Sequence, residues 1–412
     1  MTTQVEAFPE SRVPAHPVLS FAAFGGRRDA PVPSVLDIAH TVSVPRGRTA
    51  IAMALRHAGI GAGDKVLVPA YHCRALVSPI IWAGAEPVWF RVRPDTAVDF
   101  DDLASKVESG VRALLVVHYF GFPQDLVRLR AFCDERKLLL IEDCSHSFYG
   151  RVAGRPIGAW GDYAVASPWK FHPLREGGCL ASSSRAVNEI PLASPGLRRH
   201  AKSALNAVEI AGQFGRLRPL TSLLSPLFRL KDWWLRRLRS RATKQPAPAQ
   251  GHDAIAAGAP KDPLWDFDAG EVGLGLPAPS AWLLSRARHG RVVERRRETY
   301  ARLHGALHAL PGCRALHANL PDDVVPYVYP VIMENPAAVF PILKRAGVPI
   351  IRFGEDLWPG MDKGECEVAA EYSRSVFQFP CHQGVRDDEL DWILAEVGRA
   401  LASVAHGAQV SG

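Results

Sequence analysis

The sequence lacks most of what would cross-link, anchor or export it. Its seven cysteines (73, 133, 144, 179, 313, 366 and 381) include no CxxC pair and no zinc-ligand spacing. A disulfide framework and a structural zinc site are excluded, and the thiols read as reduced, in a cytoplasmic protein. Met1 to Arg12 is polar and acidic and holds no apolar signal core. No apolar run reaches the length that spans a bilayer. Leu114–Phe120 is apolar but short, as a buried strand is. No internal repeat is apparent, and no nucleic-acid-binding motif accompanies the basic charge.

What is present is a chain of 412 residues, 47% apolar and 22% charged. That is enough apolar surface for two or three globular domains. The net charge of +7 sits in one segment. Leu197 to Lys244 carries twelve Lys and Arg against Glu209 and Asp232, so the rest is slightly acidic. Within it, Leu227, Leu230, Trp234 and Leu238 fall on one helical face of Pro226–Arg241, with five arginines largely on the others. Such a helix could lie on an anionic membrane, cover a diphosphate-bearing substrate, or pack on its own protein or a dimer partner.

Residues 1–40 are Pro-rich and irregular and read as an N-terminal arm. From residue 41 to 280 the pattern predicts one large α/β body, with the basic insertion at about 197–263. Helices are predicted at Thr49–Ala58, Leu76–Ala83, Asp101–Lys106 and Leu126–Arg136. Short apolar strands fall between them at Lys65–Val68, Pro87–Phe90, Ala113–Tyr119 and Leu138–Glu142. This alternation predicts a parallel sheet flanked by helices, with functional groups at the strands' carboxyl ends. A smaller body covers 281–412, with a long basic helix over Ala281–Leu310, a strand over Val325–Met333, and helices over Pro336–Ala346 and Asp387–Ala402.

Three segments carry candidate chemistry. Arg46-Gly47-Arg48-Thr49-Ala50 precedes a helix, where unpaired amides and the helix dipole favour an anion such as a phosphate. Asp143 follows an apolar strand, so its carboxylate stands at the strand's carboxyl end, where it could keep a cofactor ring nitrogen protonated; His146 lies three residues on. Lys170 is a lone lysine in the apolar and aromatic stretch Ser167-Pro168-Trp169-Lys170-Phe171-His172, ahead of Gly177-Gly178. Burial lowers a lysine's pKa, as an amine nucleophile requires. Each alone has an ordinary structural reading, as a helix cap, a capping aspartate and a surface lysine. Their order in one chain is far more specific.

In that order the chain resembles the DegT/DnrJ/EryC1/StrS family of pyridoxal-phosphate-dependent sugar aminotransferases, over roughly residues 40–180 and 280–402. The likeness is carried by Gly63-Asp64-Lys65-Val66 with Pro69, Gly84-Ala85-Glu86-Pro87-Val88, Val117-His118 with Gly121 and Asp125, Glu142-Asp143, Gly158 with Gly161-Asp162, and Phe379-Pro380-Cys381-His382 with Asp387-Asp388-Glu389-Leu390. The resemblance implies an α/β protein of fold type I, aspartate-aminotransferase-like, with a large mostly parallel-sheet domain and a small C-terminal α/β domain. It implies pyridoxal 5'-phosphate as cofactor, a keto-sugar acceptor linked to a nucleotide, an amino-acid donor such as glutamate, and a homodimer with shared active sites.

Transferred residue by residue, it implies that Gly47, Arg48, Thr49 and Ser167 hold the phosphate. Asp143 pairs with the ring nitrogen, His146 lies near the ring oxygen, and Tyr71 or His72 lies on the ring face. Lys170 is the Schiff-base lysine and the general acid and base. The spacing from Ser167 to Lys170 is two residues shorter than the family's usual one. Anchoring on Ser167 would put His172 in the lysine's place, as in a branch that deoxygenates sugars; anchoring on Gly177-Gly178 favours Lys170. A non-catalytic, cofactor-binding member is a third reading. Arg352, Arg74 and His172 are candidate substrate contacts. No metal is called for.

Overall fold

Aliphatic runs build the centre of the chain. The computed structural model describes residues 8–23, 32–218, 220–223, 226, 233, 264, 266–359, 361 and 364–410. Its strands are β1 His40–Val44, β2 Lys65–Pro69, β3 Glu86–Phe90, β4 Val111–Val117 and β5 Leu139–Asp143. After a small hairpin (β6 Arg151–Val152, β7 Arg155–Pro156) come β8 Tyr163–Ala166 and β9 Gly178–Ser182. Apart from the hairpin they form one seven-stranded sheet in the order β1-β9-β8-β5-β4-β2-β3. Residues 66–68 and 113–117 are wholly buried, as expected of parallel strands covered on both faces.

The sheet is mostly parallel, but β9 runs against both of its neighbours, β8 and β1. The sequence pattern predicts neither β1 nor this reversal. The reason is the connection: β8 and β9 are joined by the loop 167–177, which is too short for a helical crossover. That loop carries Lys170.

Four further strands, β10 Cys313–Ala315, β11 Val328–Met333, β12 Ile351–Arg352 and β13 Val376–Pro380, form an antiparallel sheet in the order β10-β11-β13-β12. Its core gathers Leu303, Tyr329, Val331, Phe377, Phe379, Ile393 and Val397. The predicted strand at 325–333 begins only at Val328, because the backbone before it lies against Phe120 and Gly121, with the Tyr327 amide on the Phe120 carbonyl. The long helix predicted over 281–310 is two helices, Ala278–Ser285 and His289–Leu307. The first packs on the helix Leu197–Gln213 and the second on the small sheet, and one straight helix could not reach both.

The residues around Arg12 and Pro14 are tied to the body of the small sheet. The Arg12 amide donates to the Gly347 carbonyl (2.9 Å), and Nε2 of His382 donates to the Pro14 carbonyl (2.8 Å). Pro226 and Trp233 apart, the amphipathic segment 226–241 lies outside the described residues, as does 245–263. No helix of the described residues is long and apolar enough to cross a membrane.

Candidate active site

Three chain segments meet at the carboxyl ends of β5 and β8. The first is the start of the helix Gly47–His57. Its first amide with an intrahelical acceptor is that of Ala50, which bonds the Arg46 carbonyl, so the amides of Gly47, Arg48 and Thr49 lie ahead of the ladder. Gly47 faces two hydroxyls: a Cβ there would come 2.4 Å from Ser167 Oγ and 3.3 Å from Ser145 Oγ. These two oxygens are 3.0 Å apart. Backbone amides and paired hydroxyls around a glycine form an oxyanion-sized cradle. The Arg48 guanidinium is engaged by Asp266 (2.9 Å), which leaves its backbone amide as its group at the cradle.

The second segment follows β5. Asp143 is buried, and its Oδ1 accepts the Ser145 amide (2.9 Å). His146 is buried, and its Nδ1 accepts the Phe120 amide (3.4 Å). The His146 ring stacks on Tyr327 at 4.5 Å and 25°. Phe120 adopts φ 59°, a left-handed conformation that a bulky residue avoids. It is held there by its amide's bond to His146 and its carbonyl's bond from the Tyr327 amide (2.8 Å).

The third segment is the lysine loop. Pro168 starts a tight turn, closed by the Lys170 amide on the Ser167 carbonyl (3.0 Å) and the Phe171 amide on the Pro168 carbonyl (2.9 Å). The Lys170 amine stands 5.3 Å from the centre of the Tyr327 ring. Burial pushes its pKa below the ordinary lysine value, opposed by Cys73 and Asp143 and aided by Arg48. An amine so placed has an enlarged neutral fraction, which nucleophilic and base chemistry needs.

His172, two residues on, goes elsewhere. Its Nε2 meets the Tyr149 hydroxyl (3.0 Å), which also meets His289 Nδ1 (2.9 Å). The structure thus brings Lys170, and not His172, to Asp143. Tyr71 and His72 are both fully buried among aromatic rings. The Tyr71 ring lies between Tyr119 (5.3 Å, 23°) and the edge of Phe353 (5.0 Å, 84°). His72 donates from Nδ1 to the Ala70 carbonyl (2.8 Å), accepts the Trp358 amide at Nε2 (2.9 Å) and stacks on Trp89. Cys73 is the member of this trio that faces Lys170, Asp143 and Arg48 electrostatically. Arg74 lies over Trp358 (5.0 Å), and Arg352 lies over Phe340 (4.0 Å) and binds Glu355. Both charges act on Asp356 between them.

Sequence reasoning missed Ser145, Asp266, Tyr327 and Cys73. Ser145 stands between Asp143 and His146. Asp266 and Tyr327 reach the site from more than a hundred residues away and carry no local signal.

A mostly parallel sheet with an aspartate at a central strand's end, a lysine loop beside it and a small antiparallel sheet over it define an α/β protein of fold type I, aspartate-aminotransferase-like. The model of the DegT/DnrJ/EryC1/StrS aminotransferase family matches residues 32–243, and the chain belongs to that family. It is 34% identical over 155 residues to the GDP-perosamine synthase of Vibrio cholerae, covering 37% of this chain and 42% of that protein. It is 34% identical over 160 residues to the dTDP-3-amino-3,4,6-trideoxy-alpha-D-glucose transaminase of Streptomyces venezuelae, covering 39% and 41%. The match therefore spans less than half the length of these relatives. Across the fold, the chain superposes on Spr1654 of Streptococcus pneumoniae, solved in its PLP form, with a TM-score of 0.63 at 16% identity, covering 97% of this chain and all of that one.

Proposed function

We propose that the chain is a pyridoxal-phosphate-dependent aminotransferase, with a nucleotide-linked keto-sugar as acceptor and an amino acid such as glutamate as donor. The observation that carries this reading is the half-buried Lys170, with its amine in the field of Asp143, beside the cradle at Gly47. Family membership and the named activities of the relatives support it.

The residues fit the cofactor. The amides of Gly47, Arg48 and Thr49 and the hydroxyls of Ser145 and Ser167 would take its phosphate, and Asp143 would face its ring nitrogen. When bound, pyridoxal phosphate supplies an electron-withdrawing ring that stabilises a carbanion beside the transferred nitrogen. Lys170 would hold the cofactor covalently, and its amine, made more readily neutral by burial, accepts a proton and returns it one bond's reach away. Asp143 presents a carboxylate that favours a protonated ring nitrogen. His146, Tyr327 and Phe353, packed ring against ring, would wall the site. In this reading the chain works as a homodimer.

The test is the absorbance spectrum of the purified chain with pyridoxal phosphate, before and after borohydride, followed by peptide mapping. A visible band and a pyridoxyl group on Lys170 are expected. No band after the cofactor is added would sink the reading.

A further inference from the structure

Arg296 is the largest side chain with no exposure at all in the described structure. It leaves the helix His289–Leu307 and reaches the lysine loop. One terminal nitrogen donates to the carbonyls of Pro326 (3.1 Å) and Tyr327 (2.8 Å), and the other to the carbonyl of Lys170 itself (2.7 Å). The guanidinium also lies 4.4 Å from the centre of the Phe171 ring. None of its described hydrogen bonds or ion pairs is to a carboxylate. A buried cation without an anion is costly, and here three carbonyls and one aromatic face compensate it. Gln383, from the same small body, holds the next carbonyl, that of Phe171, at 2.7 Å. The carbonyls of Lys170 and Phe171 are therefore both held from outside the large sheet.

We propose that Arg296, with Gln383 beside it, is a positioning residue for Lys170: it ties the lysine's own carbonyl to the backbone of Tyr327 and so sets where the amine stands against the Tyr327 ring and Asp143. The catalytic importance of that position rests on the aminotransferase reading above; the grip itself does not. A planar fork suits this task, because its two ends serve opposite sides at once. A lysine in its place keeps the charge and reaches one side only.

The groups that face the Lys170 amine are Asp143 at the end of β5, Cys73 ahead of the helix Arg74–Trp82, Arg48 on the helix Gly47–His57, and the Tyr327 ring. A loosened lysine turn admits water to this setting and moves the amine's titration toward that of an ordinary lysine.

The experiment is carbamylation by cyanate of the full chain without added cofactor, read peptide by peptide by mass spectrometry, with exposed Lys137 as internal reference. In Arg296→Lys that keeps the wild-type circular dichroism, the Lys170 rate at pH 8 relative to Lys137 falls severalfold, because less of the amine is neutral. A ratio unchanged within experimental error overturns the proposal, because a merely structural arginine lowers the melting temperature without moving the folded-state titration. Should Arg296→Lys fail to fold, Gln383→Met decides: the same fall, smaller in size, supports the proposal, and an unchanged ratio overturns it. Failure of the aminotransferase reading would show separately, as a missing absorbance band in the wild-type chain.

Discussion

Glu142 and Asp143 are neighbours in β5 and face opposite ways. The Glu142 carboxylate accepts the amides of Gly158 (3.0 Å), Trp160 (2.8 Å) and Gly161 (2.6 Å) and meets His118 Nε2 (3.2 Å). Asp143 instead acts on Lys170. Strand alternation separates them, so one acid builds the loop before β8 while the other faces the site. Glu142→Ala leaves three amides without their acceptor, at about 1–3 kcal/mol for each that stays dry, and is expected to lower the urea midpoint sharply. Asp143→Asn is expected to leave the midpoint near wild type and to lower turnover by roughly 10²-fold or more, the scale of a lost preorganised charge. Equal midpoints in the two variants would contradict this division.

Lys170 and His172 also separate cleanly. Lys170→Ala should lose the borohydride-fixed pyridoxyl group, while His172→Asn should retain it on Lys170. A His172→Asn chain that loses the group, with native circular dichroism, would move the chemistry to the histidine.

Two glycines next to the cradle make contrasting predictions. At Gly47 a methyl group meets a serine hydroxyl that can rotate away. Gly47→Ala should fold and bind pyridoxal phosphate at least about tenfold more weakly, a loss of roughly 1.4 kcal/mol. At Gly178 it would lie 2.2 Å from the carbonyl carbon of Arg46, which cannot yield without moving the helix start. Gly178→Ala should fail first in stability, measured by thermal unfolding. Unimpaired cofactor titration by Gly47→Ala would remove Gly47 from the cradle.

Buried histidines set an acid limit. Burial lowers His72 to about 4 and His382 to about 3, against about 6.5 in an unfolded chain. The unfolded state therefore takes up protons first as pH falls. Stability from these residues is complete above about pH 6.5 and is lost as pH drops from there toward 4 and 3, by about 3 kcal/mol or more for each. Urea midpoints at pH 7, 5.5 and 4.5 should fall in that order, and a flat series would refute the assignment.

Local chemistry was legible in the chain itself. The helix Leu126–Arg136 occurs at its predicted bounds, because a capping aspartate and an apolar stripe act within one turn of themselves. Asp143 at a strand end and Lys170 before Gly177-Gly178 were likewise readable, since each depends on its immediate neighbours. Tertiary structure alone decided the reversal of β9, the break at 286–288, the pairing of Asp266 with Arg48, and the arrival of Tyr327 and Arg296 at the lysine loop. These depend on contacts between residues tens to hundreds of positions apart, whose geometry is set by how sheets and helices pack and leaves no periodic mark in the sequence.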